Sequence, residues 1–127
     1  MKIKKYVFLI FILLFMGMDC FAQSTEDKVR ELQGTWATFF IENFHIYGDI
    51  DLSEPMYSHM EFVWIFDGNN LLMRTNGIVN GIYTFRIFAD NILFTDENGK
   101  TEGVGYSILD GILKINFNGS MFHFKKR

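Results

Sequence analysis

The feature that most constrains this chain is a pattern that recurs three times in its second half. Residues 66–77, 88–99 and 108–119 each run from an apolar residue through a tight turn and a strand-like segment to Asn-Gly. The closing glycines of these segments are 22 and 20 residues apart. A step of about 20 residues accommodates two strands and two turns, but a βαβ unit needs about 30. The repeat therefore predicts consecutive antiparallel hairpins, with Asn-Gly suited to turns that need positive φ at both central residues.

The rest of the chain after residue 35 has the same character, because short runs rich in Phe, Ile, Tyr and Val are separated by Asn, Gly and Asp. We predict an all-β fold, an eight-stranded antiparallel up-and-down meander that closes into a barrel, since closure removes the two bare edges of a flat sheet. An open twisted sheet folded over on itself is the alternative. The predicted strands are 35–44, 57–66, 71–76, 81–88, 92–96, 102–108, 112–117 and 121–126.

The N-terminal part predicts an exported protein. Three lysines precede an apolar run at 6–15, and small residues at Cys20 and Ala22 suit cleavage before Gln23. This divides the chain into a signal peptide at 1–22 and one domain at 23–127, periplasmic or extracellular. The open alternatives are an uncleaved leader and a lipid on Cys20, although Asp19 disfavours the lipid because a small residue usually precedes such a cysteine. The membrane is a predicted partner only through these two alternatives. Residues 24–33 predict a short helix with a capping serine.

Composition excludes several classes of function. Residues 23–127 carry nine basic and 14 acidic side chains and no basic block, so no nucleic-acid partner is expected. The same residues contain no cysteine, which excludes thiol catalysis, thiolate metal sites and disulfides. Stability must therefore come from packing, to which most of the 15 phenylalanines contribute.

Alternate turns of a meander lie at opposite ends of a barrel, and this places the residues that close it. The turns at 67–70, 89–91 and 110–111 share one end with both chain termini. We expect Gly34 to let the chain turn tightly into this end, Trp36 to fill it, and a terminal cation, Arg127 or a neighbouring lysine, to lie across the indole.

The Gly-Thr-Trp motif at 34–36, the eight-strand meander, the helical lead-in and the basic C-terminus together resemble the calycin superfamily, which includes lipocalins, fatty-acid-binding proteins and avidins. In size and export signal the chain is most similar to bacterial lipocalin-like domains. The resemblance implies a barrel that binds a small apolar ligand in its interior.

Period-2 alternation assigns the faces of the strands. If Trp36 points inward, Thr38, Phe40, Glu42 and Phe44 should follow it. The predicted inward residues of the other strands are Met60, Phe62, Trp64, Phe66, Leu71, Met73, Tyr83, Phe85, Ile87, Val104, Tyr106, Ile108, Leu113, Ile115, Phe117, Phe122 and Phe124. The same alternation predicts an outer apolar patch of Ala37, Phe39, Ile41, Val63 and Ile65, open to a partner or covered by the helix.

A magnitude limits how hollow such a barrel can be. An empty cavity of about 300 Å³ at about 24 cal/mol per Å³ costs about 7 kcal/mol, against a total stability of about 5–15 kcal/mol. We therefore expect a filled interior near Trp36 and a shallow cup beneath the 45–56 loop. The candidate ligand-binding residues of the cup are Glu42, His45, Tyr57, Tyr83 and Tyr106.

Reactive chemistry finds no support in the sequence. His45, His59 and His123 raise a metal hypothesis, with His59 and Glu61 sharing one strand face, but that face is the predicted exterior and no metal or other cofactor is expected. No serine has a nucleophile-elbow frame, and no glycine cluster matches a phosphate loop. The chain is therefore not predicted to be an enzyme.

Two functions follow. The first is a secreted lipocalin-like barrel that binds a small apolar or amphipathic ligand at its loop-rich end. The alternative is a solid barrel that acts as a protein-binding or inhibitory module in the cell envelope. A pocket bordered by the cup residues would favour the first, and a filled barrel with exposed aromatics on a strand face would favour the second.

Overall fold

The structure, a computed structural model, describes residues 25–127, so the predicted signal peptide and its cleavage site lie outside the described residues. The chain forms an antiparallel closed barrel of eight strands with one short helix, which confirms the predicted fold class. Helix α1 covers residues 25–32. The strands are β1 Gly34–Glu42, β2 Ile50–Asp51, β3 Phe62–Asp67, β4 Asn70–Thr75, β5 Ile78–Phe88, β6 Asn91–Thr95, β7 Thr101–Leu109, β8 Ile112–Phe117 and β9 Ser120–Lys126.

The barrel closes because the first and last long strands pair. β1 runs antiparallel to β9 from Trp36 opposite Lys126 to Glu42 opposite Met121. From β3 onward each strand pairs with the next one in the sequence, as expected for a meander. The two-residue strand β2 is an addition that pairs with the far end of β1, beyond the part that pairs with β3.

The turns confirm the hairpin chemistry read from the sequence. In the β4–β5 turn Asn76 and Gly77 have φ of 53° and 79°, and in the β8–β9 turn Asn118 and Gly119 have 51° and 81°. Positive φ at both central residues matches the twist of the flanking strands, and glycine adopts it without the Cβ clash that other residues meet.

The second long strand begins later than predicted. Residues 55–57 form a 3-10 turn that starts at Pro55, and β3 begins only at Phe62. The proposed strand start at Tyr57 is therefore wrong, because Pro55 suits the first position of a helical turn and the turn that it begins includes Tyr57. The connection from β1 to β3 is consequently a long segment, residues 43–61, interrupted only by short elements.

Helix α1 closes one end of the barrel. The Lys28 ammonium donates to the Ala89 carbonyl at 3.1 Å, and the Gln33 amide exchanges two hydrogen bonds with the backbone of Gly68 at 2.9 and 2.7 Å. These contacts place the helix against the 67–70 and 89–91 turns, at the predicted end. Leu32 is fully buried and Val29 packs on the core, so the helix seals this end and does not lie across the predicted outer patch.

A β-bulge in β1 changes the predicted faces. The pairing with β9 shifts register between Thr38 and Phe40, after which Ile41 pairs with the cavity-lining Phe122. The extra residue reverses the alternation, so the inward assignments of Phe40 and Glu42 are wrong and Ile41 belongs inside. Ile41 is fully buried, whereas Glu42 is exposed.

The predicted outer apolar patch is largely covered. Val63 is buried, and Ala37, Phe39 and Ile65 are each only partly exposed. The Lys125 ammonium lies 4.5 Å from the centroid of the Phe39 ring. An exposed patch at these residues is therefore a wrong expectation.

The barrel interior is filled on the helix side, as predicted from the sequence for the region near Trp36. The buried cluster joins residues from the helix and from all eight barrel strands, β1 and β3 to β9. Its members are Leu32, Trp36, Trp64, Phe66, Leu71, Phe85, Ile87, Ile92, Phe94, Val104, Leu113, Ile115 and Phe124.

One inward polar group provides a stability test. Within residues 25–127, Thr38 Oγ1 is the buried side-chain polar atom that lacks a hydrogen-bond partner. Burying a hydroxyl without a partner is unfavourable by about 1–3 kcal/mol, so Thr38→Val, which has nearly the same shape, is expected to raise the free energy of unfolding by about 1 kcal/mol. Urea denaturation followed by circular dichroism measures this change. Thr84→Val, at an exposed strand position, is the control, and an equal or lower stability for Thr38→Val would contradict the expectation.

Candidate functional site

A cavity of about 310 Å³ lies in the half of the barrel away from helix α1. It opens between the segment that follows β1, the β4–β5 turn and the β8–β9 turn. The lining residues are Phe44, His45, Phe62, Trp64, Met73, Arg74, Thr75, Asn80, Tyr83, Phe117, Asn118, Ser120 and Phe122.

Aromatic rings form most of the cavity wall. Phe44, Phe62 and Phe122 make a three-membered cluster with ring centroids 6.1–6.4 Å apart. Trp64 and Phe117 meet nearly perpendicularly, with centroids 6.4 Å apart. Tilted and edge-to-face contacts of this kind hold rings in fixed positions and present both faces and edges to a bound molecule.

Gly81 determines where the Tyr83 ring lies. A Cβ at position 81 would clash with the Tyr83 ring, so only glycine allows the tyrosine to fold back over its own strand. The ring contacts Phe94 with centroids 5.0 Å apart and borders the cavity. The pair Gly81 and Tyr83 therefore shapes the wall on the β5 side.

The polar lining groups are mostly neutral. The Asn80 amide donates to Thr75 Oγ1 at 2.7 Å, and the Ser120 hydroxyl donates to the Asn43 carbonyl at 2.9 Å. No lining residue carries a carboxylate, and Arg74 is the lining residue with a permanent charge. The site therefore combines an apolar wall with hydrogen-bonding groups and one cation, and it lacks a negative charge.

Internal hydrogen bonds hold the segment beside the cavity in a compact shape. The Asn43 N–H donates to Asp49 Oδ1 at 2.9 Å, and the Phe44 N–H donates to the Gly48 carbonyl at 2.7 Å. Asn43 and His45 both adopt positive φ, at 55° and 51°. This backbone geometry directs the side chains of Phe44 and His45 to the cavity.

The structure brings two of the five predicted cup residues together. His45 and Tyr83 line the cavity, and their role as ligand-binding residues stays a prediction. Glu42 lies on the outer face, where its Oε1 is 2.7 Å from Nε2 of His123, because the bulge reverses the face of β1. Tyr57 lies in the 3-10 turn and is not a lining residue.

Tyr106, the fifth predicted cup residue, lies at the opposite end of the barrel from the cavity. Its N–H donates to the Asp90 carbonyl at 3.0 Å, next to helix α1. Burial raises the pKa of the Tyr106 hydroxyl, and the negative charges of Glu31 and Asp90 raise it further. Its placement in the cup is wrong, because β7 runs through the full length of the barrel and Tyr106 occupies the other half of the strand.

This environment predicts a pH dependence. The pKa of Tyr106 is higher in the folded state than in the unfolded state, so the unfolded chain ionises first as the pH rises above about 10. The stabilisation is complete below that pH and is lost above it. Tyr106→Phe is expected to reduce the alkaline loss of stability in denaturation curves recorded between about pH 9 and 11. Tyr47→Phe, at an exposed position, is the matched control, and identical profiles for all three proteins would contradict the assignment.

The predicted closing residues lie together at the helix end. Trp36 is 2% exposed, and its indole N–H donates to the Leu32 carbonyl at 2.7 Å. The cation over the indole is Lys126, whose Nζ is 5.2 Å from the ring centroid. Arg127 instead pairs with Glu61 at 3.4 Å and donates its backbone N–H to the Thr35 carbonyl at 2.9 Å, so its side chain is not the cation at Trp36.

Strand alternation did not predict five of the lining residues, and one of them is Arg74, which lies at a register shift between β4 and β5. The other four lie at or near turns, where period 2 gives no clear face: Thr75 ends β4, Asn80 is the third residue of β5, Asn118 lies in a turn and Ser120 begins β9. These four residues could have been located from the end of the barrel at which each turn lies, since all four belong to the end opposite the termini. Trp64, Phe117 and Phe122, by contrast, were assigned inward by alternation.

Other site types have no counterpart in the described part of the chain. Within residues 25–127 no group of three potential metal-ligating side chains occurs, and no helix there is long and apolar enough to cross a bilayer. His59 lies in a turn, while Glu61 forms the ion pair with Arg127. Comparisons with protein-family models, curated proteins and solved structures found no match for this chain.

Proposed function

We propose that this protein binds a small apolar or amphipathic molecule in the cavity at the loop-rich end of its barrel. The observation that carries the proposal is the aromatic cavity itself, with six phenylalanine, tyrosine and tryptophan rings around about 310 Å³. A mostly apolar concave site with a few polar groups at its border is the usual form of a small-molecule site.

The chemistry of the wall suggests how such a ligand would lie. Its apolar body would contact the rings of Phe62, Trp64 and Phe122, and its polar end would face Thr75 and Asn80 near the mouth. Because no lining residue is acidic and Arg74 is cationic, a neutral or anionic polar group suits this site better than a cationic one.

The expected affinity is moderate. A ligand of about 20 non-hydrogen atoms gains about 0.3 kcal/mol per atom, or about 6 kcal/mol in all. This corresponds to a dissociation constant in the range of tens of micromolar. Filling the cavity would also restore contacts that its lining lacks when empty.

The cavity also bears on the alternative of a solid protein-binding module. That alternative expects a barrel filled throughout. Here the interior is filled in the half next to helix α1, and the other half holds the cavity. The Gly-Thr-Trp motif and the eight-stranded closed barrel support the lipocalin-like character of the proposed carrier. The N-terminal lysines and apolar run support export to the periplasm or the exterior, and the proposal includes no catalytic step.

The proposal can be tested with 1-anilinonaphthalene-8-sulfonate, an anionic aromatic probe whose emission rises in apolar surroundings. We expect saturable binding of one probe per chain, with a dissociation constant of about 10–100 μM. Thr75→Trp places an indole in the mouth of the cavity and is expected to weaken binding at least about tenfold. Thr84→Trp makes the same change at an exposed position of β5 and should bind like the unmodified protein.

Circular dichroism and thermal unfolding of both variants establish that they remain folded. No saturable binding, or equal binding by both variants, would contradict the proposed site. Native mass spectrometry of protein purified from its own host then identifies the natural ligand by mass.

A further inference from the structure

Two segments beside the cavity mouth, the 43–48 loop and the tip of the β4–β5 hairpin, expose large apolar side chains to water; we call both of them the mouth loops. Ile46 and Tyr47, next to the lining residue His45, are 92% and 68% exposed. Ile78 and Val79, next to the lining residue Asn80, are 72% and 45% exposed. We define these four residues as the mouth tips.

The loops that carry the mouth tips contain no charged side chain. Residues 43–48 read Asn-Phe-His-Ile-Tyr-Gly and residues 76–81 read Asn-Gly-Ile-Val-Asn-Gly. At the closed end, helix α1 has five charged residues, and the exposed apolar residues Phe88 and Leu109 stand beside Asp90 and Asp110. The mouth end has charged side chains on its neighbouring turn at 96–100, but the two loops that carry the mouth tips expose apolar side chains with no charged residue among them.

The polar groups of these loops are largely satisfied within the protein. The Phe44 and Tyr47 N–H groups donate to backbone carbonyls of the same loop at 2.7 and 3.0 Å. The Asn76 side chain accepts from the Glu61 N–H at 2.7 Å, and the Asn80 side chain donates to Thr75. The mouth loops can therefore leave water without leaving many polar groups unpaired. Unpaired polar groups are the main obstacle to entering a lipid phase.

We propose that the mouth tips insert into the headgroup region of a zwitterionic phospholipid bilayer, so that the cavity mouth faces the lipid. Isoleucine and valine gain free energy from leaving water, and tyrosine prefers the bilayer interface because one end of its ring is apolar and the other polar. Residues 25–127 carry a net charge of −5, which opposes approach to an anionic membrane and favours a neutral surface.

A bilayer fits the mouth tips better than a protein partner does. A specific protein interface carries about one hydrogen bond per 100–200 Å². The loops offer no charged group, and their asparagine side chains Asn76 and Asn80 already have partners. A fluid bilayer surface accepts separate apolar side chains without matching their shape. Contact of the mouth tips with the bilayer does not require the proposed ligand.

The experiment is flotation with vesicles of pure phosphatidylcholine, using the chain from Gln23, which contains every element of the closed barrel. The test variant is Ile46→Asp with Ile78→Asp. The matched control is Phe88→Asp with Leu109→Asp, two apolar residues of similar exposure, 67% and 70%, beside the turns of the closed end.

We expect the unmodified chain and the control to float with the vesicles and the test variant to lose at least about tenfold in partitioning. Replacing part of the lipid by anionic phosphatidylglycerol should weaken binding at low salt. Binding of the naphthalene probe should be the same in all three chains, because neither Ile46 nor Ile78 lines the cavity, so this result and the proposed function can fail separately.

Absence of flotation by the unmodified chain would overturn the proposal, as would an equal loss in both variants or flotation of the test variant at the unmodified level. If the unmodified chain does not float but forms dimers that Ile46→Asp with Ile78→Asp dissociates in analytical ultracentrifugation, the mouth tips are a protein interface and the bilayer proposal is wrong.

Discussion

Trp36→Ala is expected to lower the free energy of unfolding by about 3–5 kcal/mol. The substitution leaves a large cavity at the closed end, where the indole is 2% exposed. It also removes the donor to the Leu32 carbonyl and the aromatic face beneath the Lys126 ammonium. Since small domains have a total stability of about 5–15 kcal/mol, the variant should be partly unfolded at 37 °C. Urea denaturation followed by circular dichroism measures the loss.

Two variants separate the contributions of the indole. Trp36→Phe keeps a ring but loses the N–H. Its free energy of unfolding is expected to lie between those of the unmodified protein and Trp36→Ala, with a loss of about 1–3 kcal/mol. Phe88→Ala removes an exposed ring of β5 and should stay within about 0.5 kcal/mol of the unmodified protein. A loss below about 1 kcal/mol for Trp36→Ala would show that the barrel end does not depend on this side chain.

Gly34→Ala is expected to lower the free energy of unfolding by about 1–3 kcal/mol, the second largest effect. Two features of position 34 combine. Its φ is +119°, a backbone conformation that residues with a Cβ rarely adopt. A Cβ would also lie 2.8 Å from Cε of Lys126, so the lysine stem that reaches the indole would have to move.

A double-mutant cycle separates the backbone strain from the side-chain clash. In the background of Lys126→Ala the steric part disappears, so Gly34→Ala should be less destabilising there, and the remaining loss reports the strain at φ +119°. Gly105→Ala, where a Cβ would meet its nearest neighbour at an ordinary 3.9 Å, is the control. Equal losses in both backgrounds would refute the contact between Gly34 and the Lys126 stem.

The predictability of the fold follows from which signals are local. Asn118 and Gly119, like Asn76 and Gly77, determine their own turn conformations, because positive φ depends on the residue itself. The spacing between such turns gives the strand lengths. Because successive turns of a meander alternate between the two ends of the barrel, the order of the turns gives the end at which each one lies. From this the filled floor at Trp36 could be predicted before any pairing was known.

The candidate site was predicted less well, because its composition depends on pairings that are not local. The bulge after Thr38 is invisible to alternation, yet it moves Glu42 to the outer face and Ile41 inward. Tyr106 has the right residue type and faces inward, but it lies in the wrong half of its strand. Thr75 and Ser120, at strand ends, had no periodic signal at all.

The sequence by itself determined the all-β class, the order of the hairpins and the end of the barrel that Trp36 fills, since turn chemistry and hydrophobic spacing act over a few residues. Only the tertiary structure decided where the interior stays open. That depends on the register of β1 against β9, on which half of the barrel each large side chain reaches, and on the path of residues 43–61 between two strands. Those are long-range packing outcomes, and no short stretch of sequence fixes them.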